Sequence, residues 1–292
     1  IALFFVCQIA SEQVKVVLSG EGADEIFGGY NVYSEPNSTA YEKLPRGIRR
    51  GIGAIAGKFP AKKGVNFFVR KGKDLEERFI GNAYMFTPEE RKKLLKIETD
   101  APDPQELTAE YYDRVSDYDD VTKMQYLDLH MWMTGDILLK ADKMSMAHSL
   151  ELRVPFLDKE VMYVAEQIPT RYRVTREEVT DENTPYITKY AMRLAAKKDT
   201  PKSTAKTAAK KKLGFPVPIR VWLKEDKYYH IVRKYFESET SEQFFHTEQL
   251  IKLLDDHRDG KADNSRKIWT VFMFLLWYAV YFESESIAFG SL

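Results

Sequence analysis

Val14-Lys-Val-Val-Leu-Ser-Gly-Glu-Gly-Ala-Asp-Glu-Ile-Phe-Gly-Gly29 is the stretch on which the reading of this chain turns. Val14, Val16, Val17 and Leu18 form the apolar, β-branched run expected of a strand buried on both faces. The run stops at a glycine-flanked turn. Open α/β sheets bind ligands just beyond the carboxyl ends of such strands, where Gly20 and Gly22 let the backbone turn tightly and let a ligand approach closely. Ser19, Glu21, Asp24 and Glu25 place polar groups at the same point. The stretch therefore predicts a binding site for something charged.

Beyond it the pattern is almost entirely helical, with no second strand of comparable length. Ile1 to Ala10 reads as a truncated helix, and Thr87-Pro88-Glu89-Glu90 supplies an N-cap, a proline at the first helical position and a capping-box glutamate for a helix over 88–95. Apolar residues at spacings of three and four predict further helices over 104–117, 120–135, 159–167, 185–198, 218–235, 247–258 and 264–282. The last of these is uncharged from Ile268 to Phe282 but shorter than the roughly 18 apolar residues of a span, so it is expected to be a buried helix.

Charge cancels overall, with 44 basic and 44 acidic side chains, and the chain has no net field to attract nucleic acid or an anionic membrane. Locally it is segregated. Lys43 to Lys73 carries ten Lys and Arg and no acid, and its prolines and glycines suggest a mobile surface excursion or a partner-facing segment. Glu98 to Asp120 reverses the balance, and the two are expected to be solvated faces that attract each other. Only Phe59, Phe67 and Phe68 accompany the basic run as stacking candidates, too few to support nucleic-acid binding. The single cysteine, Cys7, has no partner for a disulfide or zinc cluster and fits a reducing cytoplasm.

Glu21 is the sharpest chemical candidate. A carboxylate between two glycines can act as a general base or orient a cationic nucleophile, although alone it reads equally as a turn acid facing water. Asp24 offers the hard oxygen that suits Mg²⁺, or else stabilises a helix amino terminus. Glu25 reads as structural. Lys140 to Asp158 is a second constellation, in which an Arg153 salt-bridge network would fix a loop and His148 would be a hydrogen-bonded scaffold residue, with Met144, Met146, Leu150, Val154, Phe156 and Leu157 buried. A third, Lys210-Lys-Lys-Leu-Gly-Phe-Pro-Val-Pro218, follows a Thr, Ala and Lys run that suggests a flexible polar loop. Its glycine and prolines would hold Lys212 in place, where it could neutralise charge on a leaving group.

In this order, Val16-Val-Leu-Ser-Gly-Glu-Gly-Ala-Asp-Glu-Ile-Phe-Gly-Gly-Tyr30, Ser145-Met-Ala-His-Ser-Leu-Glu-Leu-Arg-Val-Pro-Phe-Leu-Asp158 and Lys212-Leu-Gly-Phe-Pro-Val-Pro218 closely resemble the synthetase domain of glutamine-dependent asparagine synthetases. The resemblance extends to the helix from Asn264 to Trp277. It implies an α/β fold of the adenine nucleotide alpha hydrolase-like, ATP pyrophosphatase type, mainly helical in this chain with a residual strand near 14–19. Residues 1–35 would close the nucleotide-binding sheet and 36–292 would form the helical part.

It further implies that an aspartate side chain attacks the α-phosphate of ATP, and that ammonia from glutamine displaces AMP from the resulting β-aspartyl adenylate. Ser19 and Gly20, with Gly22, would contact ATP; Glu21 and Lys212 would be catalytic; Asp24 would bind Mg²⁺. Related lactam-forming synthetases tend to have tyrosine at the position of Glu21, so the glutamate favours ammonia as nucleophile. Lys143 stands where many relatives have arginine. The family's Ser-Gly-Gly-x-Asp-Ser pyrophosphate loop and its glutaminase domain are not in the sequence and are expected upstream, making this the carboxyl-terminal part of an enzyme that would not turn over alone. Another AMP-forming amide ligase, or a basic-surface interaction module, are the remaining readings.

Overall fold

The computed structural model describes residues 1–37, 41, 44–59, 63–82, 84–175, 186–210 and 217–283. In chain order the elements are α1 (Ala2–Ser11), β1 (Val16–Leu18), α2 (Ala23–Phe27), a 3₁₀ turn (Asn31–Asn37), α3 (Arg46–Ala56), α4 (Lys63–Lys71), α5 (Leu75–Arg78), α6 (Pro88–Leu94), α7 (Pro104–Arg114) and α8 (Asp120–Asp128). A π-helical segment (Leu129–Leu138) runs without a break into α9 (Leu139–Met146), then β2 (Glu151–Arg153), α10 (Lys159–Glu166), α11 (Thr170–Arg173), β3 (Val174–Thr175), β4 (Ile187–Thr188) and α12 (Tyr190–Asp199). The remainder is α13 (Lys202–Ala208), α14 (Ile219–Trp222), α15 (Asp226–Phe236), α16 (Glu239–Phe244), α17 (Thr247–Arg258) and α18 (Ser265–Phe282). The chain is mainly helical, with few strands, and forms two compact units: Ile1–Ala83 with Pro102–Phe215, and Tyr84–Ala101 with Pro216–Leu292.

In the first unit, β1 and β2 form a two-stranded parallel sheet in which Val16, Val17 and Leu18 face Glu151, Leu152 and Arg153. The expectation that β1 is buried on both faces is not met. β2 is its only strand partner among the described residues, and Val16 and Leu18 are exposed. The second strand, equal in length to β1, was concealed in sequence by the charges of the 140–158 segment. Its Arg153 pairs at 2.8 Å with Glu151, both exposed, so the expected loop-fixing network is a single surface pair. Leu150 is buried as expected, Met144, Val154, Phe156 and Leu157 are half-buried, and Met146 is exposed. His148 packs edge-on against Phe4, with ring centroids 4.4 Å apart, and its buried Nε2 has no hydrogen-bond partner. That departs from the scaffold bond expected of it.

The basic run 43–73 is built mostly from two helices rather than a mobile excursion. α3 and α4 approach so closely that a Cβ on Gly72 would sit 2.8 Å from Gly53 Cα and 2.9 Å from Arg49 O. Neighbouring acids answer several of its charges. Arg70 makes a two-pronged bond to Glu35 at 2.9 and 2.8 Å, and Arg50 reaches Asp74 at 3.0 Å and Glu77 at 2.7 Å. Burial pushes the Glu35 carboxyl up, but Arg70, Arg78 and Lys71 outweigh it and hold Glu35 below the usual carboxylate range. The core of this unit gathers Tyr33, Leu75, Phe79, Tyr112, Met124 and Leu127, all buried.

The expected polar loop at 202–212 is helical over Lys202–Ala208. Ala and Lys are strong helix formers, and Arg193 closes the end of α13 by donating to the carbonyls of Ala208 and Lys210. The helix expected at 185–198 begins only at Tyr190, because Lys189 adopts the left-handed backbone conformation, φ 52°. Residue 185 itself lies outside the described residues.

In the second unit, α6 carries the capping box foreseen in its sequence, with Glu90 N donating to Thr87 Oγ1 at 3.2 Å and Thr87 N to Glu90 Oε2 at 3.0 Å. The helix expected over 218–235 is divided into α14 and α15, where Glu225 takes extended backbone. α15, α17 and α18 bury Phe236, Leu250, Leu254, Ile268 and Leu275 in one core, each worth about 1.5–3 kcal/mol of apolar burial. α18 is buried on one face only: Ile268, Val271, Phe272 and Leu275 point inward, whereas Trp277, Tyr281 and Phe282 are exposed. Among the described residues no helix is long and apolar enough to cross a membrane. Replacing Gly72 with valine should force α3 from α4 and destabilise the first unit by about 1–3 kcal/mol, read as a lower urea midpoint.

Candidate active site

β1 is held at its carboxyl end by one further ladder bond, Ser19 N to Arg153 O at 2.8 Å. The chain then turns back on itself. Glu21 N faces Ser19 Oγ at 3.4 Å and Ala23 N bonds Gly20 O at 3.3 Å. Gly22 takes φ 89°, and a Cβ there would overlap Leu157 Cδ2, so both backbone and packing require glycine. Around Gly20, in contrast, a Cβ would meet no atom within 4 Å among the described residues beyond its chain neighbours. The turn is open on that side, as an approach for a ligand demands.

α2 begins at Ala23 and has only five residues. Asp24 points its Oδ1 to Lys189 Nζ at 3.1 Å, and the two side chains are three-quarters buried. Gly29 covers this pair, since any Cβ there would strike the Asp24 carboxylate and Lys189 Cε. Burial raises the pKa of Glu21. Lys140 opposes the shift, Asp24 and Asp136 reinforce it, and Lys189 opposes it again. Glu21 thus lies in a field of two acids and two bases drawn from three separate parts of the chain. Asp136 and Lys140, themselves paired at 3.6 Å, come from the π-helical segment and the start of α9.

The reading of the sequence placed Ser19, Gly20, Glu21, Gly22 and Asp24 in one turn, and the structure does so. Lys212 lies outside the described residues. Sequence reasoning missed Lys189 and gave no role to Asp136 or Lys140. The only local sign for Asp136 and Lys140 was their charge in an apolar helix, and Lys189 had none. The oxygen donors around the turn, Asp24, Glu21 and Asp136, are hard ligands of the kind Mg²⁺ takes. Among the described residues no group of three or more His, Cys, Asp or Glu forms a metal cage of its own.

Beneath the turn lie two buried carboxyls. Glu25 accepts from Tyr30 Oη at 2.6 Å, and Trp132 Nε1 donates to the same Tyr30 oxygen at 3.2 Å. Burial raises the Glu25 pKa against that bond. Asp128 is fully buried and accepts from Tyr33 Oη at 2.6 Å and Asn82 Nδ2 at 2.7 Å. With no cation among its described partners, burial pushes its pKa up to about 7.

A parallel strand pair ends here in an acid-bearing turn, and the sequence comparisons say to which family the chain belongs. The chain belongs to the asparagine synthase family, which it matches over residues 1–279. It is 44% identical over 287 residues to asparagine synthetase [glutamine-hydrolyzing] 1 of Bacillus subtilis, covering 98% of this chain and 43% of that protein. Proteins of Mycobacterium bovis and Mycobacterium tuberculosis, provisionally described as glutamine-hydrolysing asparagine synthetases, are 40% identical over 289 residues, 98% of this chain and 42% of theirs. The chain therefore spans less than half the length of these relatives. No solved structure matches it significantly.

Two outcomes follow from this geometry. Gly22→Ala should cost about 2–4 kcal/mol through left-handed strain and overlap with Leu157, measured by denaturant unfolding. Asp128 binds its proton more tightly folded than unfolded, so between about pH 4 and 7 its contribution to stability should fall by up to about 1.4 kcal/mol per unit as pH rises. Asp128→Asn should remove that slope from urea unfolding curves taken across the range.

Proposed function

We propose that this chain carries the acid–base part of the site of an ATP-dependent asparagine synthetase, and that residues 1–292 are the carboxyl-terminal portion of a synthetase domain of the ATP pyrophosphatase type. The observation that carries the reading is Glu21: a partly buried carboxyl with raised pKa, in a turn whose Gly20 side is open, at the end of a parallel strand. The overall reaction would join aspartate and ammonia, the latter released from glutamine, with cleavage of ATP to AMP and pyrophosphate. The aspartate β-carboxylate attacks the α-phosphorus and pyrophosphate leaves; ammonia then attacks the acyl carbon of the β-aspartyl adenylate, loses a proton, and AMP departs.

Glu21 is the base for that proton. Its raised pKa brings it closer to neutral pH, where a general base is most effective. Ser19, Gly20 and Gly22 line the ATP side of the turn. Lys212 would face the phosphates. Asp24 would hold Mg²⁺, which would neutralise charge on the pyrophosphate. Lys189 fixes the Asp24 carboxylate in place. The upstream pyrophosphate loop and glutaminase segment that the family resemblance implies belong to the same proposal.

Aspartate-dependent pyrophosphate release and asparagine formation from ATP, Mg²⁺ and ammonia test it in the protein that contains this chain. Glu21→Gln should lower asparagine formation by about 10²–10⁴-fold. Undiminished turnover by the variant removes Glu21 from its role, and a carboxylate other than aspartate as the preferred acceptor replaces the substrate.

A further inference from the structure

A cavity of about 680 Å³ opens among α2, α7, α8, α10 and α11, within the first unit. Of the acids described above only Glu25, tied to Tyr30, lines it; Glu21, Asp24, Asp136 and Lys189 do not. Its size falls within the range of small-molecule sites. Ile26, Val115, Leu129, Met162 and Ile168 make most of its apolar wall.

Two arginines line it: Arg114 is exposed and pairs with Glu110 at 3.4 Å, whereas Arg173 is partly buried. The guanidinium is pre-set by three bonds to neutral acceptors: Nε to Ile168 O at 2.8 Å, and Nη1 to Gln125 Oε1 at 3.0 Å and Thr122 Oγ1 at 3.3 Å. Among the described residues it makes no ion pair and its Nη2 meets no acceptor. Burial lowers its pKa, and only Asp119 opposes this. The Asp119 carboxylate is already committed as the cap of α8, accepting from the amides of Val121 and Thr122 and from the hydroxyls of Thr122 and Thr170. A cation drawn partly out of water whose counter-charge, Asp119, makes no direct ion pair with it is incompletely compensated, and a bound carboxylate would add charge-assisted bonds. Because the fork is already oriented, little side-chain entropy remains to be lost on binding.

We propose that this cavity binds a small carboxylic acid with an apolar body, its carboxylate on Arg173 Nη2 and its body against Ile26, Val115 and Met162. Such a ligand could be a simple acid or the carboxylate end of an apolar amino acid, whose ammonium group would face the exposed Glu166 at the rim.

Calorimetric titration of the full chain with 3-phenylpropionate, L-phenylalanine and 2-phenylethylamine tests the assignment. At least one of the two acids should saturate a single site, and the amine should not bind there. Tighter binding of L-phenylalanine identifies the ligand as an amino acid; tighter binding of 3-phenylpropionate identifies a simple acid. Arg173→Gln should weaken binding by about tenfold or more. Met162→Trp, which fills the cavity and leaves Arg173 intact, should abolish it, with circular dichroism confirming that each variant is folded. The proposal is overturned if neither acid saturates below about 10 mM, the millimolar range in which even one weak charged contact registers. Equal binding of the amine, or unchanged binding in folded Met162→Trp, also overturns it.

Discussion

A five-residue helix cannot hold its own place in water, and α2 is the element on which the turn from Ser19 to Asp24 depends. Its last carbonyls have no intrahelical donors. The buried amide of Gln125 supplies them, donating to Glu25 O at 2.6 Å and Ile26 O at 2.9 Å. Gln125 is fixed in turn by Arg173. From the other side, Glu25 is tied to Tyr30, whose oxygen also receives the Trp132 indole. α2 is thus held through backbone and side chain alike, and each bond lies where an unsatisfied group would be costly.

The same packing sets the electrostatics of the turn. Glu21, Asp24 and Glu25 stand within five residues of one another, and alone they would repel. Lys189 neutralises Asp24, Tyr30 takes up Glu25, and Glu21 is left between the opposing fields of Lys140 and Asp136. Asp136 arrives on a stretch of π-helix, a geometry enriched at functional sites, and Lys140 on α9, which continues it. Within the π-helix Thr134 Oγ1 donates back to His130 O at 2.5 Å, a bond that competes with regular helical pairing.

Elements governed by short-range chemistry were legible in the sequence. The Thr87 capping box and the helices expected over 104–117, 159–167 and 247–258 lie close to where their residues place them, as α6, α7, α10 and α17. Errors arose where a pattern had two physical solutions. Basic, glycine-bearing residues at 43–73 resemble a mobile loop until Gly53 and Gly72 are seen to let two helices touch. Lys and Ala at 202–208 are polar in composition yet strongly helix-forming, and the helix prevails once Arg193 caps it. The apolar run at Val14–Leu18 gave the strand but not its burial, which depends on the number of neighbours.

The sequence by itself determined the Ser19–Asp24 turn and the family of the chain, because glycine placement and charge spacing act over a few residues, where backbone sterics dominate. Tertiary structure alone decided that Gln125, a hundred residues from Glu25, would secure α2, that Lys189 would pair with Asp24, and that Asp136 and Lys140 would surround Glu21. No local preference encodes such partners. They are chosen by packing, which brings distant polar groups together only where burial leaves them no water to bond.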